Sequence, residues 1–183
     1  MISVSLFSGK LVSLRTMEPE DLETLYRLEN DGRGWGQGTA NVPYSREMLR
    51  QFIAKGTYNI YSDGWMRLMI ESVEEGVSVG MVDLTSFSPR HLRAEVGIVV
   101  DGDYCRKGYA SEALQLMERY GNEFLHLRQL YAYVSMENVA SLGLFDKLGY
   151  ERGGVLKDWL YEADGFVDVQ IFQKILGAAS QPI

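Results

Sequence analysis

The chain is short of the residues that build disulfide and metal scaffolds. It has one cysteine, Cys105, and two histidines, His91 and His126. A lone cysteine closes no internal disulfide, and so small a Cys/His supply argues against a metal site, so none is expected. Long apolar runs are also missing. Stretches such as 96–100 are strand-sized, whereas a membrane helix needs about 20 apolar residues. The opening MISVSLFSGKLVSL lacks a basic start followed by an apolar core. It is not read as a secretory signal, and the expected location is cytoplasmic. Positive charge is in deficit: Lys+Arg is 18 against Asp+Glu 25, a formal net charge of −7. Nucleic acids and anionic membranes want a basic stripe, so neither is an expected partner. An amine or basic peptide suits the charge better, although solubility alone also accounts for it. There are four prolines and no repeat or low-complexity segment, so no linker divides the chain.

What is present fits a single α+β domain over residues 1–183. Hydrophobic residues make up 46% and charged residues 23%, enough for one packed core. A short strand is predicted over 11–15. A helix opened by Thr16 or Glu18 follows, with Leu22, Leu25, Tyr26 and Leu28 at helical spacing. Residues 31–38 read as a glycine-rich loop containing Trp35. Ser45 is placed to cap a second helix with Met48, Leu49, Phe52 and Ile53 on one face. Runs at 65–72, 77–86 and 93–100 form an antiparallel meander, with Glu74-Glu75-Gly76 as a turn. A long helix over about 108–127, a strand at 130–135, a helix over 138–148 closed by Gly149, and strands at 151–156 and 167–175 complete the order. The expected architecture is a mixed, mostly antiparallel central sheet flanked by helices.

Two segments carry chemistry. In 103–113 a buried strand leads into a loop that opens the long helix. Such a loop presents free backbone N–H groups at the positive end of a helix dipole. Gly108 allows close approach of a phosphate, Ala110 keeps the first turn uncrowded, and Arg106 and Lys107 add charge. This is an anion cradle without the GxxxxGK[ST] or GxGxxG pattern. A plain loop-to-helix turn stays open on these residues alone. In 138–150, Asn138 can cap a helix, Ser141 lies one turn on, and Leu144, Phe145 and Leu148 read as core.

Taken together, in this order and spacing, the segments resemble the GNAT N-acetyltransferase superfamily. Cys105-Arg106-Lys107-Gly108-Tyr109-Ala110 is similar to that family's acetyl-CoA loop, Q/R-x-x-G-x-G/A. Asn138, Ser141, Phe145, Lys147, Gly149 and Tyr150 match its N-x-x-S-x-x-x-Y/F-x-K-x-G-F/Y segment. Phe87-Ser88-Pro89-Arg90, the run 93–98, Trp159 and Gly165-Phe166-Val167-Asp168 resemble the branch that acetylates ribosomal-protein N-termini and polyamines.

The resemblance implies acetyl-CoA as co-substrate, no metal, and direct transfer to a primary amine. Acceptors of three kinds stay open: polyamine, peptide N-terminus and small amine. The strands at 94–100 and 130–135 are expected to splay. The pantetheine arm then lies between them, along Ile98, Val99 and Val100. Cys105, Arg106, Lys107, Gly108, Tyr109, Ala110 and Ser111 would hold the pyrophosphate. Asn138, Ser141, Phe145 and Lys147 would contact the cofactor from the other side. A backbone N–H near Ile98 would polarise the thioester carbonyl. Trp35 and Tyr44 would line the acceptor pocket or form a buried aromatic plug, and a homodimer is admitted.

Two positions depart from the family pattern. Cys105 stands where Gln or Arg is usual, and Phe145 stands where many members carry a tyrosine proposed as general acid. A CoA thiol with a pKa about that of cysteine, ~8.5, leaves readily as thiolate. Tyr109, Tyr133 and Tyr150 are unranked alternative acids. An amine of pKa ~10.4 must lose a proton before it attacks, and Glu95 is the candidate base. The competing readings of Glu95 are a substrate anchor, a solvent-facing residue or a partner for Arg93. A non-catalytic acyl-CoA-binding module is the alternative function. Glu112 is expected to be structural, facing outward or paired with Arg106. Asp31, Glu29 and Asp83 default to solvated surface, and Trp159 and Tyr161 to packing under the last hairpin.

Overall fold

The computed structural model describes residues 4–31, 42–56, 59–162 and 165–177. Its sheet has seven strands: β1 (Val12–Arg15), β2 (Met66–Ser72), β3 (Ser78–Ser88), β4 (Arg93–Val100), β5 (Gln129–Ser135), β6 (Glu151–Glu162) and β7 (Gly165–Ile175). They lie in the order β1-β2-β3-β4-β5-β7-β6. Every neighbouring pair is antiparallel except β4 and β5, which run parallel. The parallel step needs a crossover, and α4 (Tyr109–Glu123) supplies it. The expected mixed, mostly antiparallel sheet is therefore present.

Alternation along the central strands sends side chains to two cores. On one face Val82, Leu84, Ala94, Val96, Leu130, Ala132 and Phe172 are buried with Ala113, Leu114 and Met117 of α4. On the other face α1 (Leu22–Glu29) and α2 (Arg46–Lys55) cover β2 and β3, packing Leu25, Leu28, Leu49 and Ile53 on Met69 and Met81. Ser45 caps α2 by accepting the Met48 N–H at 3.2 Å. Met48 itself is exposed, so the apolar face of α2 is narrower than its spacing predicts. α1 begins later than predicted, because Pro19–Asp21 forms a 3₁₀ turn. A short helix, α3 (Ile60–Asp63), capped by Asn59, was not anticipated.

Glu112 is structural, but Arg106 is not its partner. Its carboxylate accepts the backbone N–H groups of Lys10, Leu11 and Val12 at 2.9, 2.6 and 2.7 Å. One side chain thus anchors the start of the edge strand β1 to α4. Gly9 makes room for it, since a Cβ there would lie 2.5 Å from the carboxylate.

The last hairpin departs most from the sequence pattern. β6 runs on to Glu162, and the register shifts between Arg152 and Gly154 and between Leu156 and Leu160. Bulges of this kind break the period-2 signal without ending the strand. Trp159 and Tyr161 are 58% and 75% exposed, so they do not pack beneath the hairpin as expected.

Candidate functional site

β4 and β5 share three register pairs: Arg93 with Gln129, Ala94 with Leu130, and Glu95 with Tyr131. Beyond Glu95 they diverge, and a fork opens between Val96–Val100 and Ala132–Ser135. The ladder to β3 fixes what faces the fork. Asp101 donates its N–H to Val79 O at 2.9 Å. Hydrogen-bonded positions alternate along an antiparallel pair. Val99 with Met81, Gly97 with Asp83, and Glu95 with Thr85 therefore bond to β3. Val96, Ile98 and Val100 direct their N–H and C=O groups the other way, into the fork.

One arm of the fork leads to the phosphate-type loop. Asp101 caps a 3₁₀ turn, Gly102–Tyr104, by accepting the Asp103 N–H at 3.2 Å, and its carboxylate also receives Arg27 of α1 at 2.7 Å. Arg106 (φ 64°) and Gly108 (φ 87°) are both left-handed. A left-handed arginine costs about 1 kcal/mol and turns successive N–H groups toward a common point. Glu112 N–H makes the first bond to the helix end, to Gly108 O at 3.1 Å. The N–H groups of Tyr109, Ala110 and Ser111 have no intrahelical acceptor. Cys105, Arg106 and Lys107 are exposed on this loop. Residues that present free N–H groups, a left-handed glycine and two cations fit a pyrophosphate.

The other predicted contacts divide. Asn138 caps α5 (Val139–Lys147), its side chain accepting the Ser141 N–H at 3.0 Å. Ser141 is half-buried and Lys147 exposed. Phe145 is 3% exposed, with its ring stacked on Phe172 at 5.4 Å. That corrects its assignment to the cofactor, because a core ring presents no surface to a ligand. The Tyr109 ring is likewise buried, its hydroxyl 3.3 Å from Ser72 Oγ, so only its backbone reaches the loop. Of the alternative acids, Tyr150 is also buried, where desolvation and Glu118 hold its hydroxyl far above the usual value. Tyr133 is 45% exposed at the fork.

Glu95 is half-buried, and burial pushes its carboxyl above the ordinary value, with only the Ser86 side chain opposing. No ion pair joins it to Arg93 among the described residues. A bulge between Thr85 and Ser88 places Ser86 (φ 49°) beside Glu95 and Tyr131. Tyr131 meets Tyr133 edge-on at 5.7 Å. Nothing had singled out Tyr131; its alternation with Tyr133 along the strand was the available signal.

Glu95, Gly97 and Val99 face the side of the sheet that carries α1 and α2. Two further acids there are not solvated surface. Arg67 donates Nε and Nη2 to both Asp83 oxygens at 2.8 and 2.7 Å, and Nη1 to Glu29. Burial works against the guanidinium, but Asp83 and Glu29 outweigh it and raise its pKa. Tyr44 is pinned to the end of α1, its N–H donating to Asn30 Oδ1 at 2.8 Å, and it is half-buried against the α1–α2 core. Trp35 lies outside the described residues.

Comparison with known proteins agrees with the fold. A family model described as an acetyltransferase (GNAT) domain matches residues 12–151. The spermidine N(1)-acetyltransferase of Escherichia coli K12 is 31% identical over 152 residues, spanning 81% of this chain and 77% of its own. The ribosomal-protein-serine acetyltransferase of the same organism is 22% identical over 168 residues, spanning 90% and 93%. Among solved structures, the Vibrio cholerae spermidine N-acetyltransferase in complex with CoA and spermine superimposes with a TM-score of 0.79 at 23% identity, covering 92% of this chain and 97% of that one. With the family model over most of its length and a 31% identical relative, the chain belongs to the GNAT acetyltransferase family.

Proposed function

We propose that the chain transfers the acetyl group of acetyl-CoA directly to a primary amine, with an aliphatic polyamine as the preferred acceptor. The observation that carries this is the fork, where the Ile98 N–H faces inward three residues beyond the Glu95 carboxylate. The pantetheine arm lies along Val96–Val100, and its amides pair with the inward backbone groups as a strand would. The pyrophosphate rests on the 106–111 loop. Asn138 and Ser141 border the far side.

The reaction follows from these positions. Glu95 takes a proton from the bound ammonium group, directly or through one water. The freed nitrogen attacks the thioester carbon, and the Ile98 N–H stabilises the oxygen as it gains charge. The C–S bond then breaks as the nitrogen gives up its second proton, which passes through water or the Tyr133 hydroxyl to the departing sulfur, leaving amide and CoA thiol. A carboxyl pushed upward by burial is a better base than an ordinary one. Polyamine preference rests on the 31% identical relative and on local charge. Glu29, Asp83 and Glu95 supply three carboxylates against one guanidinium, Arg67. The exposed Trp159, Tyr161 and Phe166 supply a surface for self-association. A CoA-release screen over polyamines, peptides with free N-termini and small amines tests the reading. Release with a polyamine supports it; acetyl-CoA binding with no release on any amine overturns it in favour of a binding module.

A further inference from the structure

A strand in the middle of a sheet normally fills both faces with side chains, and β4 does not. Gly97 is exposed although β4 is the fourth of seven strands. A Cβ built there meets no atom within 4 Å among the described residues, and the backbone needs no left-handed conformation. The glycine is therefore not demanded by packing or by geometry. A glycine in a strand interior weakens the strand and commonly marks a place where something else approaches the backbone.

The surroundings say what approaches. On β3 the directly opposed residue is Asp83, and both its oxygens are held by Arg67 on β2, which draws the carboxylate away from β4. On β4 the neighbours on the same face are Glu95 and Val99, each about 7 Å along the strand. On the β5 side Gly97 has no strand partner among the described residues, because pairing ends at Glu95 with Tyr131. Among the described residues this leaves space for one side chain above Gly97. It opens into the fork next to Ile98, with a carboxylate at one end and an apolar side chain at the other. An ammonium group held at Glu95 places its first methylenes on the bare backbone of Gly97.

We propose that Gly97 is a specificity-determining residue: its missing side chain is the floor on which the acceptor's carbon chain lies beside the reacting nitrogen. This rests on the acetyl-transfer reading above. It assigns the acceptor a slender, unbranched carbon next to the amine, since a branch there would strike the sheet. One buried methylene changes discrimination by roughly ten- to hundredfold.

The test is Gly97→Ala and Gly97→Val in the full chain, with steady-state kinetics on an unbranched diamine. Acetyl-CoA affinity by calorimetry and the thermal midpoint are measured alongside. The expected result is an acceptor KM raised several-fold by alanine and about tenfold or more by valine. Acetyl-CoA affinity and the midpoint should match the parent or, for the midpoint, exceed it. An unchanged acceptor KM in both variants, with the parent turning over, overturns the role of Gly97 alone. Loss of acetyl-CoA binding instead would assign the hollow to the cofactor and overturn it too. Should valine fail to fold, the alanine variant decides by the same KM criterion. A parent that releases no CoA with any amine overturns the acetyl-transfer reading and this inference with it.

Discussion

Glu95 on β4 and Tyr131 on β5 face each other at the last rung the two strands share. The half-buried carboxylate thus stands at the point where the sheet opens, bonded by the Ser86 side chain and close enough to the Tyr131 phenol to raise its pKa. Its position at the root of the fork ties the proposed proton transfer to the backbone N–H that receives the oxyanion.

Replacing Glu95 by Gln should lower kcat/KM by ~10²–10⁴ while leaving acetyl-CoA affinity intact. In the parent, the acidic limb of the kcat/KM profile should titrate above the ordinary carboxyl value of 4.5. Stability gives an independent reading. Between 4.5 and the raised value the folded chain binds more protons than the unfolded one, so stability falls as pH rises through that window. Glu95→Gln should remove this slope and raise the melting midpoint at neutral pH but not at pH near 4.

Gly108→Glu should abolish cofactor binding. The substitution forces a side chain into a left-handed backbone, at a cost of about 1 kcal/mol, and sets a negative charge against the pyrophosphate. Calorimetry should show acetyl-CoA affinity falling about a hundredfold or more, whereas Gly108→Ala, which keeps only the strain, should lose about tenfold or less. Equal affinities for both variants and the parent would place the phosphates elsewhere.

Glu112→Ala should destabilise the fold without touching catalysis. Three backbone N–H groups lose their acceptor. The expected loss is about 2 kcal/mol, or roughly 5 °C in melting midpoint. Glu112→Gln, which retains an acceptor oxygen, should recover part of it. Differential scanning calorimetry settles the comparison.

Arg67→Met should be more damaging. The guanidinium is 15% exposed and its two carboxylates 20% each, so its removal leaves a pair of largely buried like charges. Breaking such a pair costs about 3–5 kcal/mol, which corresponds to roughly 6–20 °C for a chain of this size. Arg67→Lys keeps the charge but not the two-pronged geometry and should fall between. A midpoint unchanged by Arg67→Met would mean the triad contributes nothing to the folded state.

Much of the fold was legible because its signals are local. The meander shows period-2 alternation, Ser45 and Asn138 announce their helices as caps, and Gly108 marks the loop. The candidate loop was legible where it depends on backbone, as in the left-handed Gly108 that opens α4. It was not legible where contact is long-range. Glu112 reaches back a hundred residues to Lys10–Val12, whereas the local reading turned it outward or paired it with Arg106. Arg67, Glu29 and Asp83 come from three separate segments, so their mutual burial has no signature along the chain. Phe145 illustrates the reverse: a motif position fixes the residue type but not whether its ring faces the cleft or the core.

The fork also has a mechanical meaning. Strands β1–β4 and β5–β7 are two slabs joined edge to edge by three rungs and backed by one shared apolar core. The amide hydrogens of Val96, Ile98 and Val100, which face the fork, are expected to exchange with solvent faster than those of Gly97 and Val99, which bond to β3. If acetyl-CoA threads the seam as proposed, it closes the seam from both sides, as a stitch between the slabs as well as a donor. Exchange along the fork is then expected to slow on addition of acetyl-CoA.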